Sequence, residues 1–313
     1  MSWYVGIDTS NYTSSAAAYN SATGAVVQHK KLLPVAQGRM GLKQSDAVFL
    51  HVRQLWEVLE RVLGELTGPP AAVAASGTPR DEEGSYMPCF LVGVLAARAC
   101  AGGAGARHYS FSHQAGHVMA ALYSAGRLEL AGAPLLAFHF SGGTTQCLLV
   151  EPDARQIVRI TTLAQTLDLN AGQAVDRVGG LLGLPFPAGP RLEELAKQSR
   201  RSFRPRPAFK GPDCCLSGVE NQCAAMLAQG APGPEAARYC LDYLSAAALE
   251  MTARVLEQHP GLPLVYAGGV MSNSLIREAV LSRYPGAHFA QPQYSCDNAV
   301  GTALLCAMKE GDR

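Results

Sequence analysis

One short pattern occurs twice in this chain and constrains its fold more than any other feature. An apolar strand, a small polar turn and a second strand occupy residues 3–19, with the turn at 9–13. The same plan returns at residues 134–150, with the turn at 141–144. A further strand at 25–33 extends the first hairpin into a meander. Two such hairpins, ~130 residues apart, indicate a duplicated α/β fold.

The length of the chain, 313 residues, suits two lobes better than one core. The glycine-rich stretch 102–105 predicts a flexible joint. We therefore expect an N-terminal lobe at 1–105 and a C-terminal lobe at 106–313. Helical patterns predominate between 171 and 258, which predicts a helical insertion in the second lobe.

Residues 45–66 predict a long helix over the first lobe, ended by glycine and proline at 68–70. Because its apolar residues recur at helical spacing, we expect one buried stripe along it. The residues of that predicted stripe are Val48, Val52, Leu55, Leu59 and Val62.

Three turns at the ends of predicted strands are candidate phosphate sites. The turn 141–144 has two adjacent glycines, whose backbone N–H groups can approach a phosphate closely. The turn 267–273 follows a strand and precedes a helix, a place that suits anion binding. The first turn, taken with the residues that follow it (9–15), offers hydroxyl groups without glycine. Each turn alone also fits an ordinary chain reversal, but three together favour a nucleotide cleft.

His113 and His117 are spaced so that two imidazoles on one helix face can reach the same ion. Gln114 stands where an HExxH protease has its glutamate base, so peptide hydrolysis by that route does not follow. Pairs at this spacing also occur on ordinary helix faces, and a metal site needs a third ligand. The candidates for that ligand are Asp297, Asp8 and Asp168.

The segment 168–177 reads DLNAGQAVDR and begins a predicted helix. Asp168 is placed to cap this helix, and Asp176 lies further along it. A carboxylate there suits ribose or substrate hydroxyl groups, and it also suits plain surface solvation. The loop 184–190 is rich in proline and glycine, which favours a structural role.

Residues 197–210 form a local basic stretch without any acidic side chain. Two phenylalanines, Phe203 and Phe209, are interleaved with its cations. Arginine with aromatics suits backbone phosphates and a splayed base, although a solvated loop has the same composition. The cations are Lys197, Arg200, Arg201, Arg204, Arg206 and Lys210.

Composition limits the partners and the compartment. The net charge is +1, so no overall field draws the chain to nucleic acid or membrane. The nine cysteines have neither CxxC zinc spacing nor a disulfide framework, which favours a reducing compartment. We find no secretory signal and no apolar run long enough to cross a bilayer. We therefore expect a cytoplasmic chain without membrane attachment.

Seven segments occur in an order that is typical of one family: GIDTS (6–10), SHQAGH (112–117), SGGTTQ (141–146), AGQAVDRVGGLLGLPFPAGP (171–190), LSG (216–218), AGGVMSN (267–273) and CDNAVGTALL (296–305). On these segments the chain resembles the TsaD/Gcp family, the tRNA N6-adenosine threonylcarbamoyltransferases, which carry an old label as O-sialoglycoprotein endopeptidases. The likeness covers nearly the whole chain.

The resemblance implies an actin-like ATPase (ASKHA) fold with two duplicated lobes around a central nucleotide and metal cleft. It implies one divalent metal, iron or zinc, bound by the catalytic residues His113, His117 and Asp297. It also implies an adenine nucleotide, either threonylcarbamoyl-AMP or ATP/AMP. The residues expected at the nucleotide are His139, Phe140, Ser141, Gly142, Gly143, Asp176, Gly189, Gly268, Gly269 and Asn273.

The family moves the threonylcarbamoyl group of threonylcarbamoyl-AMP to N6 of the adenosine beside the anticodon of tRNA. The resemblance therefore implies tRNA as a partner, with the basic stretch 197–210 as its expected contact. Family members also work in complexes, so TsaB-like and TsaE-like proteins are expected as further partners.

Several positions depart from the family pattern. Asn11-Tyr12-Thr13 stands where the family has Cys-Asp-Glu. The other departures are Thr144 for histidine, Gln173 for glutamate, Arg177 for lysine and Glu220 for lysine. Because these changes rewrite the polar surroundings of the expected ligands, two other hypotheses stay open. One is the same chemistry on a non-tRNA acceptor, and the other is a non-catalytic nucleotide-binding scaffold.

Overall fold

The computed structural model describes residues 2–34, 42–295 and 299–312. The chain forms two units. Unit 1 comprises Met1–Gly132, Glu151–Ile160 and Cys296–Arg313, and unit 2 comprises Ala133–Val150 and Thr161–Ser295. The division expected from the sequence, between 105 and 106, falls inside unit 1.

Strands and helices alternate along the chain as an α/β fold requires. The strands are β1 (Trp3–Ser10), β2 (Thr13–Asn20), β3 (Val26–Leu32), β4 (Ala72–Thr78), β5 (Arg107–Ser112), β6 (Leu135–Phe140), β7 (Thr145–Asp153), β8 (Ile157–Gln165), β9 (Ala208–Lys210), β10 (Asp213–Cys215), β11 (Leu264–Ala267) and β12 (His288–Phe289). The α-helices are α1 (Gln44–Gly64), α2 (Phe90–Ala104), α3 (His113–Ser124), α4 (Ala171–Leu181), α5 (Gly189–Ala196), α6 (Gly218–Ala228), α7 (Gly233–Gln258), α8 (Ser274–Arg283) and α9 (Val300–Lys309).

The two five-stranded sheets share one topology. The first has the order β3-β2-β1-β4-β5, and the second has the order β8-β7-β6-β11-β12. In each, the first strand of the hairpin is antiparallel to the second and parallel to a later strand on its other side. The duplicated α/β plan predicted from the two hairpins is therefore confirmed.

The core of unit 1 follows from the alternation of side chains along β1. Val5 and Ile7 are fully buried and point to the same face of the sheet. They pack with Leu55 of α1 and Ala97 of α2 in one apolar cluster. Helix α9 also packs on β1, β2 and β4, and it contacts α3. The sheet is thereby covered by helices, as parallel strands require.

The predicted stripe of α1 is wrong at Val52, which is 61% exposed. The buried face of α1 instead includes two polar side chains, His51 and Gln54. They face hydrogen-bonding groups of the β1–β2 hairpin: the Ser14 hydroxyl accepts from Gln54 Nε2 at 3.1 Å. Polar groups are buried here because their partners are buried with them.

Unit 2 is built around helix α7, which packs against α5, α6 and α8. Three rings stack across neighbouring strands of its sheet. Phe138 lies 4.7 Å from Tyr266, and Tyr266 lies 5.0 Å from Phe289, between ring centroids. The Tyr266 hydroxyl also pairs with Thr252 Oγ1 of α7 at 2.7 Å. These contacts fix the end of β11, which leads directly into the turn 268–273.

Candidate functional site

The two predicted histidines meet at the start of α3 in unit 1. Ser112 caps the helix, with its hydroxyl accepting from the Ala115 N–H at 3.1 Å. His113 and His117 lie one turn apart, and their Nε2 atoms face each other at 2.9 Å. Two nitrogens that share a tetrahedral zinc ion stand about 3.3 Å apart. At 2.9 Å the two nitrogens stand somewhat closer than this, and both imidazoles are within reach of one ion.

Asp8 orients one of these imidazoles from the end of β1. Its Oδ2 lies 2.6 Å from His113 Nδ1, and its side chain is only 1% exposed. The other oxygen, Oδ1, accepts from the Ser10 N–H at 3.0 Å. A carboxylate on Nδ1 holds the proton there and leaves the Nε2 lone pair for a metal. Asp8 is therefore a positioning residue, and the prediction that it supplies a third ligand is wrong.

Asp168 is not a metal ligand either, because its carboxylate binds the start of α6. It accepts from the Leu216 N–H at 2.7 Å and from the Ser217 hydroxyl at 2.6 Å. Burial would raise the pKa of Asp168, but hydrogen bonds from Ser217, Leu216 and Leu169 outweigh it and lower that pKa. It does not cap α4 either, because Asn170 takes that position.

The third expected ligand, Asp297, lies outside the described residues. Within residues 2–34, 42–295 and 299–312, no group of three His, Cys, Asp or Glu side chains has the geometry of a metal site. The start of α9 nevertheless lies close to the histidines, since Gly301 sits directly against the Gly116 backbone of α3. The donor set so far, two imidazoles with one fixed by a buried carboxylate, fits a divalent metal.

The hydroxyl groups of the first turn are already used inside unit 1. Thr9 Oγ1 donates to the Cys89 carbonyl at 2.9 Å. His51 Nε2 lies 2.8 Å from the Ser10 carbonyl, which only accepts, so His51 Nδ1 accepts from the Ser14 hydroxyl. Burial lowers the pKa of His51, which keeps it neutral. Hence the expectation that this turn offers free hydroxyls to a phosphate is wrong for Thr9 and Ser14.

Unit 2 contains a pocket of about 420 Å³, within the size range of small-molecule sites. Its walls come from the β6–β7 turn, helices α4 and α5, and the turn after β11. The lining residues are Ser141, Gly142, Gly172, Val175, Asp176, Pro187, Gly189, Pro190, Glu193, Leu241, Gly269, Val270, Ser272, Asn273, Ile276 and Pro292.

The β6–β7 turn and the start of α4 form one wall by direct backbone contact. The Gly172 N–H donates to the Ser141 carbonyl at 2.9 Å, and Asn170 Nδ2 donates to the Gly143 carbonyl at 3.0 Å. A Cβ atom at position 172 would lie 2.6 Å from Gly142 N. Only glycine allows this approach, so the shape of the wall depends on position 172.

The turn after β11 forms the opposite wall. Gly268 has φ of +97°, and a Cβ there would collide with the Phe140 carbonyl. Asn273 then caps α8, with Oδ1 accepting from the N–H groups of Leu275 and Ile276 at 3.0 and 3.2 Å. The Ser272 hydroxyl, also in the lining, is buried without a hydrogen-bond partner among the described residues. Such an atom is available to a ligand.

Two carboxylates hold the remaining wall. Asp176 Oδ1 accepts from the Ala188 N–H at 2.9 Å, which fixes the loop before α5. Glu193 Oε1 accepts from the Ser274 hydroxyl at 2.5 Å and from Lys197 Nζ at 2.6 Å. Burial would raise the pKa of Glu193, but these hydrogen bonds outweigh it and lower that pKa. The Glu193 carboxylate is therefore ionised at neutral pH where it lines the pocket.

Six of the ten residues predicted at the nucleotide line this pocket, and four do not. The six are Ser141, Gly142, Asp176, Gly189, Gly269 and Asn273. Phe140 is a fully buried core side chain, and Gly268 contributes its close backbone contact. His139 and Gly143 stand outside the lining. Sequence reasoning missed Glu193 and Pro292, because neither belongs to a glycine turn and only the fold brings them in.

The basic stretch 197–210 is exposed, but its members differ. Arg201 pairs with Glu235 at 2.8 Å and lies over the Phe203 ring at 5.2 Å. Phe203 packs edge-on against Tyr239, and Phe209 lies under Arg254, so both rings anchor the loop. The cations without an ion pair among the described residues are Arg200, Arg204, Arg206 and Lys210.

Residues 45–304 match the family model of TsaD, tRNA N6-adenosine threonylcarbamoyltransferase. The chain belongs to the TsaD family. A relative of that name from Rhodospirillum rubrum is 32% identical, over 96% of this chain and 88% of the relative. Another from Ralstonia pickettii is 27% identical, over 97% of this chain and 90% of the relative.

Solved structures with the same fold extend beyond the TsaD family. Component A of the Acidaminococcus fermentans (R)-2-hydroxyglutaryl-CoA dehydratase has a TM-score of 0.57 at 17% identity, over 99% and 100% of the two chains. Full-length HypF scores 0.60 at 10% identity, over 98% of this chain and 46% of HypF. The ROK hexokinase from Thermus thermophilus scores 0.52 at 15% identity, over 99% and 100%. These likenesses confirm the actin-like ATPase fold, but a shared fold does not by itself indicate a shared function.

Two departures from the TsaD pattern contact each other. Arg177 of α4 pairs with Glu220 of α6, with 3.0 Å between Nη1 and Oε2. Gln173 completes the cap of α4 by accepting from the Asn170 N–H at 3.3 Å. The positions 177 and 220 are thus joined by an ion pair within unit 2. None of the helices in the described ranges has the length and apolarity that crossing a membrane requires.

Proposed function

We propose that this chain transfers the threonylcarbamoyl group from threonylcarbamoyl-AMP to N6 of the adenosine beside the anticodon of tRNA. The observation that carries the proposal is the pocket of unit 2, since six of its lining residues are those that the TsaD resemblance assigns to the adenylate. The chain is accordingly an acyltransferase of the N6-threonylcarbamoyladenine synthase type.

The reaction needs leaving-group stabilisation more than covalent catalysis. Adenosine N6 attacks the carbamoyl carbon and forms a new C–N bond, while the C–O bond to phosphate breaks. AMP leaves with that electron pair, and N6 loses a proton. We assign phosphate stabilisation to the backbone N–H groups of Gly142 and Gly269, and ribose binding to the Asp176 carboxylate, since all three residues line the pocket. The enzyme needs no covalent intermediate.

We also propose one divalent metal, iron or zinc, with His113, His117 and Asp297 of unit 1 as its ligands. When bound, such an ion polarises acyl or phosphate oxygens as a Lewis acid. Asp8 serves the same site by holding the His113 ring through Nδ1. These three ligands are the catalytic residues that we propose.

The unpaired cations of the basic stretch support tRNA as the acceptor. Arg204 and Arg206 are exposed and alternate with half-buried prolines, so both guanidinium groups face solvent. Each cation that neutralises a phosphate releases counterions, which makes binding depend on salt. We therefore place the tRNA backbone along residues 200–210.

The double change Arg204→Ala with Arg206→Ala is expected to weaken tRNA binding and to lower its salt slope by roughly 1.5, since each phosphate contact contributes roughly 0.7–0.9. The matched control is Arg61→Ala with Arg98→Ala, which removes the same charge from exposed positions of unit 1. Binding is measured by tRNA titration at several salt concentrations. Equal slopes in both double variants would exclude this stretch as the tRNA contact.

Partner proteins resembling TsaB and TsaE also belong to the proposal. One side of α1 exposes three large apolar residues, Phe49, Val52 and Trp56. Apolar side chains grouped in this way are typical of surfaces that another protein covers. Together with the expected tRNA acceptor, this supports a cytoplasmic protein that works within a complex.

The proposal is tested by AMP release from threonylcarbamoyl-AMP, measured with and without tRNA and with and without the two partner proteins, beside elemental analysis of the chain. About one metal per chain with tRNA-stimulated release is expected. AMP release that is the same with and without tRNA under every condition would favour a different acceptor. Nucleotide binding with neither metal nor release would make the chain a binding scaffold.

A further inference from the structure

Residues 186–191 form the lip of the pocket in unit 2, and one of them is an aromatic side chain that packs against no part of the core that the structure describes. Phe186 is 84% exposed, more than any other large apolar side chain in the described ranges. A single exposed apolar residue is ordinary on a protein surface. What distinguishes Phe186 is its place, since Pro187 directly after it lines the pocket.

Neighbouring apolar residues of the same loop all have a packing role. Leu184 packs against the core of unit 2, and Ala188 is buried. Pro187, Gly189 and Pro190 line the pocket. Phe186 takes part in neither the core cluster nor any ring contact found among the described residues. Its exposed ring is therefore available to contact a binding partner.

A cation stands at the other end of this short lip. Arg191 follows Pro190 in the first turn of α5, is exposed, and has no ion pair in the described part of the chain. The lip from 186 to 191 thus presents an aromatic ring and a guanidinium group to solvent on either side of its pocket-lining residues. An aromatic face beside a cation suits a nucleobase and the phosphate next to it.

The proposed reaction creates a need for such a ring. The acyl group is held in a pocket, so the acceptor adenine has to leave the base stack of the anticodon loop before its N6 can reach the acyl carbon. An unstacked base is stabilised by a new aromatic partner. Phe186, at the edge of the pocket, is placed to offer one without contacting the nucleotide inside.

We propose that Phe186 is the surface on which the acceptor adenine of the RNA stacks, and that Arg191 binds the phosphate beside it. This inference rests on the proposed function and adds the specificity-determining contact for its acceptor. The ring holds the base, and the guanidinium holds the backbone. Neither group takes part in binding threonylcarbamoyl-AMP.

The first test compares Phe186→Ala with Phe186→Trp. The alanine variant is expected to lower kcat/KM for tRNA by roughly 5- to 150-fold, the range that corresponds to loss of one stacked base. Its affinity for threonylcarbamoyl-AMP is expected to stay unchanged, and tryptophan is expected to restore transfer. Leu181→Ala, another exposed apolar residue of unit 2, is the matched control. Wild-type transfer by Phe186→Ala overturns the proposal, as does a parallel loss of nucleotide affinity.

A second test does not depend on turnover. An anticodon stem-loop RNA with adenosine beside the anticodon is compared with the same RNA lacking only that base. Wild type is expected to bind the adenosine form more tightly, whereas Phe186→Ala is expected to bind both forms equally. Arg191→Gln is expected to reduce the salt slope by roughly 0.7–0.9 without changing this discrimination.

The two tests show separately whether the proposed function or the role of Phe186 is wrong. If wild type shows no transfer in the presence of the partners, the proposed function is wrong. The binding comparison still tests the role of Phe186 in that case, because it does not need turnover. Transfer by wild type with equal discrimination by both proteins removes only the role of Phe186.

Discussion

Replacement of His113 by alanine is expected to abolish metal binding and transfer together. His113 lies within 2.9 Å of His117 and is the imidazole that Asp8 orients. Loss of a carboxylate that orients a ligand typically lowers metal affinity by roughly 10–100-fold, and loss of the ligand itself costs more. We therefore expect at least about 100-fold less transfer. Metal content is measured by elemental analysis, and transfer by AMP release.

The control for this variant is His108→Ala, which removes an exposed histidine from β5 of the same unit. It should keep both the metal and the activity. Asp8→Asn should lower metal affinity by an intermediate amount, because asparagine preserves the shape but not the charge at His113 Nδ1. A metal content equal to wild type in His113→Ala would contradict the assignment of the site, whatever the activity.

Replacement of Gly172 by alanine is expected to damage the nucleotide pocket through a backbone collision. The added methyl group would lie 2.6 Å from Gly142 N, and neither backbone can yield cheaply. Overpacking of this kind lowers the free energy of unfolding by about 1–3 kcal/mol. The pocket wall must also move, so the affinity for an adenine nucleotide should fall as well. Urea unfolding and nucleotide titration measure the two effects.

Gly180→Ala is the matched control, since it lies on the same helix α4 with open space around its Cβ position. Removing a glycine from a helix interior should raise the free energy of unfolding by about 0.4–1 kcal/mol. The two alanine variants are thus expected to change stability in opposite directions. A Gly172→Ala protein that is as stable as the Gly180→Ala protein would show that the contact at Gly142 is not constraining.

Local patterns predicted much of the fold because they are local in origin. The two strand–turn–strand hairpins appear as β1–β2 and β6–β7, and each has the expected antiparallel register. The spacing of His113 and His117 likewise placed both side chains on one face of α3. A period of two or of four residues follows from the backbone geometry of a strand or a helix, so it can be recognised without knowing any contact partner.

The errors have one physical cause, which is that burial and bonding depend on partners far away in the chain. Val52 has helical spacing with the core of α1 yet is exposed, while His51 is buried because Ser10 and Ser14 satisfy both of its nitrogens. Asp8 looked like a metal ligand, but it binds the opposite nitrogen of His113. Distances between atoms, not residue types, separate a ligand from a residue that orients one.

The sequence by itself therefore determined the family, the duplicated α/β plan and the histidine pair, since each rests on residue identity and short spacing. Only the tertiary structure decided which of the predicted nucleotide residues share one pocket and which additional side chains, such as Glu193, enter it. It also decided that Phe186 is left on the lip of that pocket. These outcomes depend on packing between segments distant in sequence, and such packing is an energetic property of the whole folded unit.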